Sequence, residues 1–144
     1  MQAHCTFLAP PDLERLCDRG TSVAHCPLSN VYFSARPFPL REALNRHVKV
    51  GLGTDVAGGY SLDIMNSMRQ AVAVSRIRES ERIMNANSQN RVEGNLSIDW
   101  KEALFLATRG GSVALGLEGM FKVGAPFDAQ ESKYLNIIVK AGLA

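Results

Sequence analysis

The sequence predicts an α/β domain built on a narrow parallel sheet. Short apolar segments typical of buried strands alternate with longer segments of helical periodicity, and the connections between them are short. The chain has 144 residues, 46% hydrophobic and 21% charged, which is enough for one domain with a core and too balanced for a disordered segment. We therefore expect three strand–helix units, followed by further helices.

The first unit is expected to begin with residues 1–5, as the tail of a buried strand. A helix opens at Pro10, and Gly20 should end it, because glycine accepts the left-handed conformation that follows many helices. The apolar face of this helix comprises Leu13, Leu16 and Cys17.

The second and third strands are predicted over residues 21–26 and 48–53, which are short and carry β-branched residues. Between them, residues 28–38 contain a proline, aromatic residues and a Ser-Asn pair, which favours a loop. Residues 40–46 favour a short helix.

A long helix is expected from about Ser61 into the eighties. Its inward stripe consists of Ile64, Met68, Ala71, Val72 and Ser75. The polar, asparagine-rich residues 84–97 are expected to form a mobile loop after it.

Two short helices are predicted next. Asp99 with Glu102 is typical of a capping box, in which each side chain accepts a hydrogen bond from the other residue's backbone. The pair Gly110-Gly111 should break the first helix, and Gly116 should end the second. Two aromatic residues near the start are expected in the core or in a hydrophobic staple: Trp100 and Phe105.

Charge and cysteine content exclude several classes of protein. With 16 basic and 14 acidic residues, the chain lacks the concentrated basic charge that nucleic-acid or membrane-surface binding needs. No apolar run suits a membrane helix, and no secretory signal pattern opens the chain. The three cysteines include no Cys-x-x-Cys pair, so a reducing, cytoplasmic location is expected.

The candidate chemistry lies where the predicted strands end. His4, His25 and Asp55 each follow a strand, and the carboxyl ends of parallel strands meet at one edge of a sheet. Each residue alone is also compatible with a structural role, as a core histidine or a turn aspartate. A zinc site using Cys5 or Cys26 with the preceding histidine is disfavoured, because neighbours on a strand point to opposite faces.

Residues 51–59 are rich in glycine but do not favour a phosphate-binding loop. Val56 occupies the position of the third glycine in the dinucleotide motif, and no Gly-Lys-Ser/Thr sequence follows. Asp55 would also repel a bound phosphate. A carboxylate among small residues better suits a metal ligand or a proton carrier. His47 precedes the third strand and is expected at the opposite edge of the sheet.

Two of these segments resemble the later strands of the amidohydrolase superfamily: residues 23–30, Val-Ala-His-Cys-Pro-Leu-Ser-Asn, and residues 50–59, Val-Gly-Leu-Gly-Thr-Asp-Val-Ala-Gly-Gly. The resemblance covers roughly residues 2–130. Within the superfamily, the chain resembles the guanine deaminases in particular. The segments that carry the narrower resemblance are 53–61, 69–72, 107–117 and 123–129.

The resemblance implies a zinc-dependent aminohydrolase on a (β/α)8 barrel that converts guanine and water to xanthine and ammonia. His4 then corresponds to the sixth-strand histidine, which bonds substrate or the attacking hydroxide. Asp55 corresponds to the eighth-strand aspartate, a zinc ligand and proton carrier. His25, Ser29 and Asn30 become substrate-pocket candidates. A homodimer of the full-length enzyme is compatible with the resemblance.

The chain also departs from the family pattern. It has three histidines and no His-x-His pair, and it lacks the fifth-strand histidine and glutamate. A whole barrel needs about 250 residues. We therefore expect the last three strand–helix units of a barrel over residues 1–130, a divergent tail over 131–144, and no activity from this chain alone. A truncated reading frame would explain this pattern.

Two other interpretations remain open at this point. The chain could be a catalytically inactive module that binds a full-length amidohydrolase subunit, or a small independent α/β domain that binds a metabolite. If it is part of a barrel, its outer strands should keep unpaired edges. The apolar residues Val23, Val50 and Leu52 would then be exposed.

Overall fold

A computed structural model describes residues 1–85 and 94–117. Strands and helices alternate as expected for an α/β domain, and three strands are followed by three consecutive helices. The elements are β1 (Gln2–Ala3), α1 (Pro10–Asp18), β2 (Val23–His25), α2 (Pro27–Phe33), α3 (Leu40–Asn45), β3 (Val50–Leu52), α4 (Ile64–Met84), α5 (Trp100–Ala107) and α6 (Arg109–Leu115).

The three strands form one parallel sheet in the order β1-β2-β3. Gln2 pairs with Val23, and Val23 pairs in turn with Val50. Within the described residues, the outer edges of β1 and β3 have no strand partner. Because all strands run in one direction, the segments that follow them lie at one edge of the sheet.

The end of α1 agrees with its prediction. Gly20 has a φ of 62°, and its N–H donates to the Cys17 carbonyl at 2.9 Å. The N–H of Thr21 donates to the Leu16 carbonyl at 2.8 Å. This pair of hydrogen bonds is a Schellman motif, which turns the chain from the helix into β2.

The prediction of a loop over residues 28–38 is wrong for its first half, because α2 occupies Pro27–Phe33. Pro27 stands at the first helical position, where its fixed φ favours a helix and its missing N–H breaks no helical bond. Leu28, Ser29 and Asn30 are buried in this helix. Packing thus orders a segment whose composition favoured a loop.

The expected exposure of Val23, Val50 and Leu52 is also wrong. Their exposed fractions are 0%, 3% and 0%, and they belong to the main apolar cluster. Helices α5 and α6 both pack against β3. Four helices and the segments before α3, β3 and α5 also contribute to the cluster, among them Leu13, Ala43, Met68, Ile98 and Leu106.

The glycine pair of α6 does not break a helix. The break lies at Thr108, with φ −120° and ψ −94°, and Gly110 and Gly111 lie inside α6. A Cβ built on Gly51 would lie 2.9 Å from the Gly111 Cα. The glycines therefore allow α6 to approach β3 closely, and the predicted helix end at Gly116 is confirmed by its φ of 73°.

Several expectations about burial and helix bounds need correction. Strand β1 is exposed at both of its residues, and within the described residues its outer edge has no strand partner. Trp100 and Phe105 are 63% and 48% exposed and lie outside the core. Helix α4 begins at Ile64, because the Asp63 side chain accepts a hydrogen bond from the Met65 N–H at 2.9 Å and caps it.

Some predictions lie outside the described residues: most of the loop predicted over 84–97, the segment 123–129 and the tail 131–144. Within the described residues, no helix is long and apolar enough to cross a membrane.

Candidate active site

His4 and Asp55 meet at the carboxyl edge of the sheet. His4 directly follows β1, Asp55 lies three residues after β3, and the His4 Nε2 is 3.8 Å from the Asp55 Oδ2. The His4 side chain is 44% exposed, and that of Asp55 is 15% exposed. An imidazole and a carboxylate, each able to take up or release a proton, thus face each other where a ligand can reach both.

His4 and Asp55 both have left-handed backbone conformations. The φ angles of His4, Cys5 and Asp55 are 62°, 54° and 52°. Such conformations are uncommon for residues other than glycine and cost on the order of 1–3 kcal/mol each. They cluster where the chain leaves the strands, and strain of this kind is frequent at functional sites.

The glycines after Asp55 let the loop fold back against it. The Gly59 N–H donates to the Asp55 carbonyl, and a Cβ on Gly59 would collide with the Thr54 carbonyl oxygen. A Cβ on Gly58 would lie 2.6 Å from the Asp55 Oδ2. These glycines make room for a carboxylate, in line with the argument against a phosphate loop.

Asn30 links the two histidines that follow β1 and end β2. Its Oδ1 is 2.9 Å from the His4 Nδ1, and its Nδ2 is 3.4 Å from the His25 Nδ1. Helix α2 holds the Asn30 backbone, whose N–H donates to the Cys26 carbonyl at 3.0 Å. Asn30 and His4 are 26 residues apart in the sequence, so no local sequence pattern predicted their contact.

His25 is buried and neutral. Burial, together with the positive charge of Arg78 and the nearby His4, lowers the pKa of His25 to about 3. Its ring packs on Phe38, with the ring centres 5.1 Å apart. A neutral imidazole keeps one nitrogen free to accept a hydrogen bond.

A pocket of about 540 Å³ opens beside His4 and Asp55. Its lining comprises His4, Thr6, Phe7, Ser29, Asn30, Phe33, Ser34, Ala35 and Asp55. Two of the three predicted pocket candidates, Ser29 and Asn30, line it. His25 lies behind Asn30 and is not part of the lining.

The aromatic residues Phe7 and Phe33 were not among the predicted site residues. They are 66% and 70% exposed, and both line the pocket. The only sequence signal was the position of Phe7, three residues after His4. Phe33 fell in the segment predicted as a loop.

Cys5, Cys26 and His47 do not line the pocket beside His4 and Asp55. Burial and the nearby Asp55 carboxylate raise the pKa of Cys26 to about 12, and burial raises the pKa of Cys5. Both thiols therefore favour the protonated form, whereas a cysteine that binds zinc does so as a thiolate. His47 precedes β3 and lies at the opposite edge of the sheet.

The described residues do not make a complete metal site by themselves. Among residues 1–85 and 94–117, no three histidine, cysteine or acidic side chains converge as metal ligands. A catalytic zinc ion takes about three protein ligands and a water. Asp55 can supply one of them, and the His4 Nε2 is the nitrogen that faces it.

Comparison with known proteins places the chain in a family. A sequence profile described as "Amidohydrolase family" matches residues 1–130. Guanine deaminase of Mus musculus is 44% identical over 132 residues, which cover 90% of this chain and 27% of that protein. The chain thus spans about a quarter of the length of the curated relatives it matches.

Two solved structures resemble the fold. E. coli guanine deaminase superposes with a TM-score of 0.65 at 32% identity, over 81% of this chain and 23% of that one. An adenosine deaminase from Xanthomonas campestris with bound zinc superposes with a TM-score of 0.63 at 27% identity. The superposition covers 79% of this chain and 23% of that one. With a family profile that covers 130 of its 144 residues, the chain belongs to the amidohydrolase family.

Proposed function

We propose that this chain supplies the sixth-, seventh- and eighth-strand side of the active site of a zinc-dependent aminohydrolase. In this reaction guanine and water give xanthine and ammonia. The observation that carries the proposal is the meeting of His4 and Asp55, 3.8 Å apart, at the carboxyl edge of a parallel sheet. The similarity to guanine deaminases supports the choice of substrate.

Asp55 and His4 take different parts in this proposal. A bound zinc ion would lower the pKa of a water molecule. The Asp55 carboxylate is able to accept a proton near the attacking water and to return it to the departing amine. His4 lies within reach of the same space and is able to hold the water or a polar group of the ring. The remaining metal ligands come from outside the described residues.

The pocket suits a flat aromatic ring. Phe7 and Phe33 present exposed aromatic side chains to it, and a purine stacks favourably on such faces. Ser29, Asn30 and Ser34 supply polar atoms in the same lining. We therefore assign ring binding to the aromatic residues and proton transfer to the edge formed by His4 and Asp55.

The wider setting belongs to the same proposal. We place the enzyme in purine catabolism and in the cytoplasm, in agreement with three free cysteines. We also predict that the barrel units end at residue 130, before a divergent tail, and that the whole enzyme forms a homodimer. We expect the 144-residue chain to have no deaminase activity by itself.

A chimeric enzyme tests the proposal. The segment of mouse guanine deaminase that matches this chain is replaced by the corresponding residues of this chain. We expect the chimera to bind zinc and to release ammonia from guanine, whereas the 144-residue chain alone, supplied with zinc, should not. A folded, zinc-loaded chimera that leaves guanine unchanged would overturn the assignment.

An inactive module that binds a full-length subunit is the second candidate. The outer edges of β1 and β3, unpaired within the described residues, are the observation that favours it. Stable copurification of the chain with intact guanine deaminase, together with an inactive chimera, would support this candidate instead.

A further inference from the structure

We propose that Asn30 and His25 are positioning residues that fix the tautomer of His4. The geometry points to a proton on the His4 Nδ1 and an unprotonated Nε2 that faces Asp55. The meaning of this arrangement for catalysis rests on the proposed function. The arrangement itself is tested without any enzyme assay.

The first step is the contact between Asn30 and His4. An amide oxygen can only accept a hydrogen bond. The His4 Nδ1, 2.9 Å from the Asn30 Oδ1, must therefore carry a hydrogen and donate it. In a neutral imidazole the other nitrogen is then an acceptor, so the His4 Nε2 presents a lone pair to the pocket.

The second step concerns the contact that holds the orientation of the Asn30 side-chain amide. The Asn30 Nδ2 can only donate, and its partner is the His25 Nδ1, 3.4 Å away. His25 can accept there only if its Nδ1 is unprotonated. Its burial, with 3% exposure, and the charge of Arg78 keep the ring neutral, so one ring nitrogen is unprotonated. The contact with the Asn30 Nδ2 assigns that nitrogen to Nδ1.

The backbone of Asn30 is held as well. Its N–H donates to the Cys26 carbonyl, and its own carbonyl accepts from the Ser34 N–H, both at 3.0 Å. Helix α2 thus fixes the position of the amide group, and His25 fixes its rotation. In this orientation of the amide, the His4 Nδ1 donates to the Asn30 Oδ1 and the His25 Nδ1 accepts from the Asn30 Nδ2.

This arrangement decides which groups the site can bind between His4 and Asp55. The His4 Nε2 and the Asp55 carboxylate are both acceptors, and 3.8 Å is too long for a direct hydrogen bond. A ligand group between them must offer two hydrogens, as a water molecule or an amino group does. His4 therefore acts as a hydrogen-bond acceptor toward its ligand.

Nitrogen-15 NMR of the histidine rings tests the proposal. The 144-residue chain has three histidines, and solid-state spectra do not need a monomer. At about pH 8, above the ordinary histidine pKa of about 6.5, the chemical shifts show which ring nitrogen carries the hydrogen. His47→Gln, an exposed site at the opposite sheet edge, assigns the third ring.

Wild-type protein should show His4 protonated on Nδ1 and His25 protonated on Nε2. In Asn30→Asp, an oxygen still faces His4, but nothing donates to His25. We therefore expect an unchanged His4 and a His25 that moves its hydrogen to Nδ1. In Asn30→Leu, His4 should become a mixture of both tautomers.

Two further variants separate positioning from a general loss of structure. His25→Asn keeps an acceptor near the place of the His25 Nδ1 and should preserve the His4 tautomer, whereas His25→Leu should not. Ser29→Ala is the matched control, because the Ser29 hydroxyl bonds the Cys26 carbonyl and neither histidine. A His4 protonated on Nε2 in the wild type, or unchanged in Asn30→Leu, would overturn the proposal. Both outcomes are independent of whether guanine is the substrate.

Discussion

Asp55 combines a position after a buried strand, a strained φ of 52° and a carboxylate that faces His4. Its side chain contributes little to the core. The same holds for His4, which is nearly half exposed. Substitutions at these residues should therefore affect chemistry more than folding.

In the chimeric enzyme, Asp55→Asn should lower guanine turnover by at least about 100-fold, because a proton carrier typically contributes 10²–10⁴. The denaturation midpoint should hardly change. Asp18→Asn, at the exposed end of α1, is the control for the loss of a charge. Near-normal turnover by Asp55→Asn would show that the motif match is superficial.

His4→Ala in the same chimera separates a second contact from a primary metal ligand. Turnover should fall, because the acceptor facing Asp55 is lost, while the zinc content after dialysis stays close to that of the parent. If zinc is lost together with activity, His4 is a primary ligand.

Metal affinity of the 144-residue chain should be weak. Asp55 and His4 offer fewer donors than the roughly three protein ligands of a catalytic zinc site. Dialysis against a mild chelator, followed by elemental analysis, should leave far less than one zinc per chain. Stoichiometric zinc after this treatment would require a ligand set beyond the one described.

Helix α6 depends on small residues for its approach to β3. A Cβ on Gly110 would lie 2.8 Å from the Val50 carbonyl oxygen and 3.0 Å from the Phe105 carbonyl oxygen. Since both neighbours are backbone atoms, the helix itself must move.

Gly110→Ala should therefore lower the free energy of unfolding by about 1–3 kcal/mol, despite the better helix propensity of alanine. The urea midpoint measures the effect. Val113→Ala, at a 38% exposed position of the same helix, should change stability by about 0.5 kcal/mol or less. Equal effects of the two substitutions would contradict the close packing.

Helix α4 and the chain before α5 are joined by one carboxylate. Glu79 accepts hydrogen bonds from the Arg82 Nε and from the Leu96 N–H, both at 2.8 Å. These bonds lower the pKa of Glu79 to about 2 from its usual value of 4.5. Because the folded state favours the carboxylate, this contribution to stability is complete above about pH 4.5 and is lost as the pH falls toward 2.

Glu79→Gln should therefore be less stable than the parent at neutral pH, and the difference should disappear between about pH 4.5 and pH 2. Denaturation midpoints over this range test it. Glu81→Gln, at a neighbouring exposed position, should show no such trend. A difference that persists at pH 2 would contradict the role of the carboxylate charge.

The isolated chain should associate through the free edge of β1. The N–H groups of Gln2 and His4 donate to the carbonyls of Ser22 and Ala24, so the Ala3 N–H between them points away from β2. Such an edge can pair with a second chain. Dye-binding apolar surface is also available, in a groove of about 590 Å³ on α4 and α5 that Met65, Ile77 and Trp100 help to line.

We expect helical circular dichroism together with oligomers and dye fluorescence. Ala3→Pro removes the outward N–H and should reduce association, whereas Trp100→Ser should reduce dye binding. Light scattering and fluorescence separate the two effects. A uniform monomer with a sharp melt and no dye binding would favour an independent domain.

Local patterns in the sequence predicted much of the fold. The strand–helix order follows from periodicity, and the helix ends at Gly20 and Gly116 follow from glycine's freedom to adopt a positive φ. The capping box formed by Asp99 and Glu102 is present as predicted. These features depend on residues within about one helical turn of each other, so the sequence alone determines them.

Other features depend on contacts between distant residues, and only the tertiary structure decided them. Packing makes a helix of residues 27–33. The close approach of α6 to β3 leaves no room for a side chain at Gly110. The sequence predicted that His4 and Asp55 would meet, because parallel strands end at one edge. It did not indicate that Asn30 would bridge His4 and His25, since that bridge requires the positions of two strands and a helix at once.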